Sequence, residues 1–445
     1  MTPEQFVATL DEWTARGGEF PDHAFDRHYL TTADEANAVV RALTDGDLNY
    51  SAGKLPTPNL HDVVALLQNT YSPEVDDVFQ RFAMPQLRRI VREGLKLKLT
   101  PSSSDDDKVA AWTLRKRADS YLFALKVASF YGGQQDAELV ASAARSPAFE
   151  DHYLWSSIFE YSERRNPAAE EMLERLRTPL PRGFCRIAYL DFANKLAFDS
   201  RASSHPFDTE IGCEFLLEKL EYDDASYESY AISAVGAAPF LSEVRRAQVL
   251  ERARSHSSAH LQTEADWAEA RLGGLHGSEF LLASLQVPQT ATRAARYLTS
   301  LGMPTPPPQN PDEFDALRQV SDWLSNEEDF LGRAPKEIFV IDQRALRWPP
   351  NGDERRVWLI GFRHDSEDER MEGVVSISDG HIDRHDDDLK AKPIRGYGRA
   401  LGADPDVYTL YDGDTKDGRF WEELVLKFNP TVERTPWRWP WDRTP

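Results

Sequence analysis

Apolar residues recur three and four positions apart through most of the first three hundred or so positions, the spacing that gathers them on one face of a helix. Phe6, Leu10 and Trp13 share such a stripe. Ahead of them Thr2, Pro3 and Gln5 have the makings of a capping box: the hydroxyl accepts an orphan N–H while the Gln5 side chain reaches back. Gly17-Gly18 supplies the stop. Thr32 and Glu35 repeat the device before Val39, Val40 and Leu43, with Gly46 as the end. Ser72-Pro73 and Asn166-Pro167 are further cap-plus-proline starts. Asp107 opens the longest segment, in which Ala111, Leu114, Ala118, Tyr121, Leu125 and Ala128 form one stripe up to Gly132-Gly133. Phe184, Ala188, Phe192 and Leu196 form another. Strand-like alternation is nearly absent before residue 330, so the pattern predicts an all-α region.

The pattern then changes. Met303-Pro-Thr-Pro306-Pro307-Pro308 cannot continue a helix and marks the clearest boundary in the chain. Asn310-Pro311 opens one more helix, carrying Phe314, Leu317, Val320, Trp323 and Leu324. Strands are expected over Glu337–Asp342, Arg356–Arg363, Gly373–Ser378 and Val407–Tyr411, with turn signals at Pro349-Pro350-Asn351-Gly352 and Asp379-Gly380. Val357 and Leu359 on one side of the second strand and Trp358, Ile360 and Phe362 on the other make both its faces apolar, which predicts a central, covered strand. A last helix runs from about Gly418 to Phe428 behind an Asp417 cap.

Three helices of related ending stand in residues 230–302: Tyr230-Ala-Ile-Ser-Ala-Val-Gly236, Trp267-Ala-Glu-Ala-Arg-Leu-Gly273 and Ala294-Ala-Arg-Tyr-Leu-Thr-Ser-Leu-Gly302. Small alanines let helices approach closely, and each terminal Gly offers a left-handed cap. This resembles the HEAT-like repeat superfamily, in which helix pairs stack into a curved solenoid. A non-repetitive α-bundle is the other reading of the same helices. The order of a helix, the Glu337–Asp342 strand, Arg347-Trp348-Pro349-Pro350 and the Arg356-Val-Trp-Leu-Ile strand is similar to a module that follows HEAT-like arrays in uncharacterised bacterial proteins. That resemblance implies an architecture and no activity or catalytic residue. The fold class expected is mainly α: a HEAT-like α-solenoid over residues 1–302, a Pro-rich linker at 303–311, a small α+β domain with a mainly antiparallel sheet over 312–430, and a Trp/Pro-rich tail at 431–445.

Composition narrows the function. A chain of 445 residues predicts two or three domains, and 41% hydrophobic residues suffice for real cores. No apolar run approaches the ~18 residues of a membrane span, and Met1-Thr-Pro-Glu-Gln-Phe6 has no secretory pattern. The only cysteines, Cys185 and Cys213, fall on apolar stripes and fit neither a disulfide framework nor a zinc set, so buried thiols in a cytoplasmic protein are expected. A formal charge of −22 repels nucleic acid and anionic membranes and points to a basic protein partner. The exceptions are two basic clusters, Arg88-Arg89…Arg92…Lys96…Lys98 and Arg115-Lys116-Arg117, which read as solvated helix faces.

Catalytic signatures are missing. His381, Asp383 and His385 would point to one side of an extended segment, with His364 one hairpin earlier; imidazole and carboxylate are apt zinc or iron ligands. A polar surface loop explains the same residues. Asp412-Gly-Asp414-Thr-Lys-Asp417 has acids where a calcium loop has them, but Lys416 and Asp417 stand where a ligand and the turn glycine belong. Gly396-Tyr-Gly398-Arg-Ala-Leu-Gly402 has the wrong spacing for a dinucleotide fingerprint. His256 and His260 are four apart in a loop-like Ser-His-Ser-Ser-Ala-His stretch. Trp437, Trp439 and Trp441, broken by Pro and Arg, either cover apolar surface or anchor a partner. The expectation is a non-enzymatic protein–protein interaction scaffold needing no cofactor. A metal-dependent centre at His364, His381, Asp383 and His385 and nucleic-acid binding through the basic faces are the alternatives.

Overall fold

A computed structural model describes residues 1–16, 25, 28–45, 48, 59–68, 72–96, 119–165, 168–222, 225–308, 310–326, 334–347, 354–365, 370–378, 381–383 and 396–397. The described residues are mainly helical, with one small, mostly antiparallel sheet. Two compact units, Met1–Cys213 and Glu214–Pro445, divide the chain.

The first unit opens with α1 (Pro3–Arg16) and α2 (Ala33–Asp45), which pack together. Both capping boxes form. Thr2 N–H donates to Gln5 Oε1 at 2.9 Å and Gln5 N–H to Thr2 Oγ1 at 3.3 Å. Thr32 and Glu35 exchange the same pair of bonds at 2.9 and 3.3 Å. Phe6, Leu10, Val39 and Leu43 are buried.

Glu35 does more than cap. Its carboxylate also accepts from Thr31 N–H at 2.9 Å and from the Thr31 and Thr32 hydroxyls, and lies 2.8 Å from His28 Nε2. Burial pushes its pKa up, but these donors outweigh it and hold the carboxyl below its ordinary value. Glu35→Ala leaves several donors without an acceptor and should destabilise the first unit by about 1–3 kcal/mol. A melting curve no lower than that of the parent would refute this.

Next come α3 (Asn59–Leu66), α4 (Pro73–Val78), α5 (Met84–Gly94), α6 (119–131), α7 (Gln134–Ala144), α8 (Leu154–Arg165), α9 (Ala169–Leu176) and α10 (Gly183–Phe198). Ser72 precedes α4 as expected, but its side chain caps nothing; the fixed φ of Pro73 is what opens the helix. Tyr121, Leu125 and Ala128 are buried on α6, as are Ala188, Phe192 and Leu196 on α10. Cys185 is buried too, and burial pushes its thiol pKa well up. Contacts run between near neighbours in sequence: α2 with α3 and α4, α5 with α7, α7 with α9, and α8 with α10. The starts expected at Asp107 and Asn166-Pro167 lie outside the described residues.

Helix α11 (Glu210–Lys219) spans the division between the units. The second unit continues with α12 (Ala225–Gly236), a 3-10 turn at Ala238–Phe240, α13 (Glu243–Arg254), α14 (Ala259–Arg271), α15 (Leu275–Ser284), α16 (Pro288–Ser300) and α17 (Pro311–Asn326). Two of the three expected glycine caps form. Gly273 (φ 85°) and Gly302 (φ 69°) are left-handed, and the following N–H groups reach Glu269 O at 3.0 Å and Leu298 O at 2.9 Å. Gly236 instead stays helical, because Ala238–Phe240 extends the turn. Helix α14 contacts α12, α13, α15 and α16, and α16 contacts α17.

The sheet has the order β1-β2-β3-β4 from β1 (Glu337–Arg347), β2 (Glu354–Asp365), β3 (Arg370–Ser378) and β4 (His381–Asp383); β5 (Gly396–Tyr397) pairs parallel with β3. As its two apolar faces predict, β2 is central, flanked antiparallel by β1 and β3. Trp358, Ile360 and Phe362 bury against Ala316, Val320 and Leu324 of α17. Strand β1 runs five residues past the expected Asp342: a bulge between Val340 and Asp342 resets the register, and β2 still offers partners as far as Arg347↔Glu354. The strand expected at Val407–Tyr411 and the helix at Gly418–Phe428 lie outside the described residues.

Candidate functional site in the second unit

Helix α14 is buried on nearly every side: Leu261, Thr263, Glu264, Ala265, Asp266, Trp267, Ala268 and Ala270 are all buried. Its neighbours can close on it because small residues line the contact. At Gly277 of α15 a Cβ would collide with the Asp266 carbonyl oxygen and the Ala270 backbone nitrogen. Burying α14 also buries its acids, and these require partners.

The partners form a polar seam running across α12, α14, α16 and α17. Glu228 of α12 accepts from the Ser258 hydroxyl and lies 3.7 Å from His260 Nδ1. Burial raises the Glu228 pKa, but hydrogen bonds from His260 and Ser258 and the charge of Arg293 bring it below its ordinary value. His260 Nε2 donates to the Gln289 carbonyl at 3.0 Å, which ties α14 to α16. Glu264, only 5% exposed, accepts from the Tyr297 hydroxyl and lies 3.5 Å from Arg293 Nη1. Trp267 stacks on Tyr297 with ring centroids 5.2 Å apart. At the far side Asp322 of α17 accepts from Thr292 at 2.6 Å and from Arg318 at 3.2 Å.

Burial dominates the acidity of Glu264. It pushes the pKa up to about 7, although Arg293 and Arg296 pull the other way. Such a carboxyl has the proton affinity that acid–base catalysis uses at neutral pH. It is buried, however, and its donors Tyr297 and Arg293 come from α16. The geometry makes it a joint between helices.

Two exposed faces lie outside the seam. On α15 only Gly277 and Leu281 are buried, whereas Leu275 is 82% and Phe280 49% exposed. Where α11 leads to α12, Tyr222 and Tyr227 stack at 5.2 Å, and Tyr227 meets Tyr230 edge-on at 5.9 Å.

Of the residues that sequence singled out, β4 carries His381 and Asp383, opposite Ser378 and Ser376 of β3, and β2 carries His364, opposite Met371. The register sets positions 381 and 383 on one face of the sheet and position 364 on the other, several residues along β3. His385 and Trp437, Trp439 and Trp441 lie outside the described residues, as do Arg115-Lys116-Arg117 and Asp412–Asp417. Among the described residues no group of three or more His, Cys, Asp or Glu could hold a metal ion. In the first basic cluster Arg88 pairs with Asp136 at 2.7 Å and Lys96 with Glu93 at 2.7 Å. His256 lies in the loop between α13 and α14, as expected, whereas His260 stands in the first turn of α14, which Ser258 caps by accepting from Leu261 N–H. Among the described residues no helix is long and apolar enough to cross a membrane. No family model matches the chain, and neither a curated protein nor a solved structure does.

Proposed function

We propose that this protein is a non-enzymatic binding scaffold whose helices form HEAT-like repeats and hold a segment of a partner protein on an exposed helix face. The observation that carries this reading is the contact order of α12 to α17. Helix α14 packs on both its sequence neighbours and on both its next-but-one neighbours, and a polar seam joins α12, α14, α16 and α17. Stacked helix pairs bury their apolar stripes in this way, and each added pair extends a binding surface. The buried carboxylates serve as joints, which leaves binding to the outer faces.

Helix α15 is the face this reading favours, because Leu275 and Phe280 present apolar surface that intramolecular packing leaves uncovered. Affinity capture from the protein's own cell extract should recover a specific partner. Capture should drop by tenfold or more for a Leu275→Glu/Phe280→Glu variant, equivalent to about 1.4 kcal/mol or more. An unchanged thermal melt would show that the variant is folded. Recovery of no specific partner by the parent protein, or equal recovery by the folded variant, would count against the reading.

A further inference from the structure

The α11–α12 face has a chemistry of its own, separate from α15. Tyr222, Tyr227 and Tyr230 follow one another in ring contact, and Lys219 links them to the buried Phe215. Lys219 Nζ sits 4.9 Å from the Phe215 ring centre and 5.8 Å from that of Tyr222. Tyr222 stacks on Tyr227, which meets Tyr230. Tyr222 is 45% and Tyr227 39% exposed, so this aromatic row lies open to solvent. It is also held in place. His256 Nε2 donates to the Tyr222 carbonyl at 3.3 Å, and Lys219 is anchored by Glu218 at 2.8 Å.

The ring spacing and the surrounding charge together select a ligand. Successive tyrosine centroids are 5.2 and 5.9 Å apart. A polyproline II segment rises about 3.1 Å per residue, so each ring-to-ring step matches roughly two residues of such a ligand. Proline-rich segments dock on aromatic rows because their conformation is preformed and little entropy is lost. Beside the row, Glu214, Glu218 and Glu221 are exposed, and Lys219 is the single base among residues 214–222. That balance repels the phosphates of a single-stranded nucleic acid, the other ligand that stacks on aromatic rows. It attracts guanidinium groups, which stack on tyrosine faces and pair with carboxylates.

We infer that the row of Tyr222, Tyr227 and Tyr230 is a docking site for a proline-rich, arginine-bearing peptide segment of a partner protein. The prolines lie across the rings, and the arginines face Glu218 and Glu221. Because Lys219 is already held against the rings and Glu218, it braces the platform and does not compete for the ligand.

The test is fluorescence anisotropy of a labelled synthetic proline-rich peptide carrying two arginines, titrated with the full chain. Saturable binding is expected, weakened at least tenfold by Tyr227→Ala and by replacing the peptide's arginines with glutamine. Tyr227→Phe keeps the ring and should bind as the parent does, which separates loss of the platform from loss of the fold. Oligo-dT and a neutral oligosaccharide are the competing probes. The inference is overturned by no saturable binding of the peptide, by equal binding to the Tyr227→Ala protein, or by displacement of the peptide with either competing probe. None of these results depends on α15, so the site can fail while the scaffold reading stands, and the reverse.

Discussion

Replacing Glu264 with Gln should flatten the pH dependence of the second unit's stability and raise that stability above pH 7. The charged and titratable groups that act on this carboxyl are Arg293, Arg296 and Tyr297 on α16. Burial prevails over the two nearest arginines, and the folded protein keeps the Glu264 proton up to about pH 7. The unfolded chain releases it near the ordinary value of 4.5. Between those values the folded state binds more protons, so stability falls as pH rises and levels off above the folded pKa. The gap corresponds to about 3 kcal/mol. A Gln keeps an acceptor for the Tyr297 hydroxyl and carries no charge, but it deprives Arg293 of a counter-ion, so the net gain at pH 8 is smaller, on the order of 1–2 kcal/mol. Asp266, raised to about 6 chiefly by burial, slopes the same way over a lower range. Glu228, held below its ordinary value, contributes in the opposite sense and only in acid. Above about pH 6 the slope therefore belongs to Glu264, and below that Asp266 adds to it. Hydrogen-exchange protection of the α14 amides, corrected for intrinsic rates, reports it locally. A Glu264→Gln protein with the parent's slope would refute the assignment.

What sequence disclosed in this chain was whatever acts over a few residues. The Thr2–Gln5 and Thr32–Glu35 caps, the left-handed Gly273 and Gly302, and the central β2 strand are all set by neighbours within a turn or by the strand's own continuous apolar run. What it hid depends on a second element. Ser-His-Ser-Ser-Ala-His reads as a loop until Ser258 is seen capping α14, which puts His260 inside the helix and against Gln289 of α16. One signal for Glu264 was present: it lies on the Leu261–Ala265–Ala268 stripe, and an acid on a core stripe announces a buried partner. The tyrosine row gave no such signal. Tyr227 and Tyr230 stand three apart on α12, as any helix neighbours may, and Tyr222 reaches Tyr227 from beyond the helix, a contact that neither helical nor strand periodicity encodes. In the first unit, likewise, the sequence shows Arg88 beside Arg89 and says nothing of Asp136, forty-eight positions away.

That pairing carries the other large effect. Asp136 has no exposed surface; both its oxygens accept from Arg88, at 2.7 and 3.0 Å, and one also caps α7 by accepting from Gly133 N–H at 2.8 Å. With its amide turned toward the guanidinium, Gln135 accepts from the outer nitrogens of Arg88 at 2.8 and 3.0 Å. Asp136→Ala removes the cap and strands a guanidinium whose side chain is only 16% exposed. The first unit should lose about 3–5 kcal/mol, the usual result of breaking one side of a buried pair, and its melting point should drop by on the order of 10 °C. Asp136→Asn, which keeps an acceptor for Gly133, should lose less. Arg88→Met/Asp136→Leu removes both charges and should regain most of the loss, since well-packed apolar side chains replace a buried pair at little net cost. The coupling between the two sites, read from a double-mutant cycle, separates a structural arginine from one reserved for a partner. An Arg88 kept for an anionic ligand would show little coupling, and Asp136→Ala would then leave the melt nearly unchanged. The bidentate geometry and the absence of exposed surface at Asp136 predict strong coupling, so this part of the basic cluster works inside the fold and not on its surface.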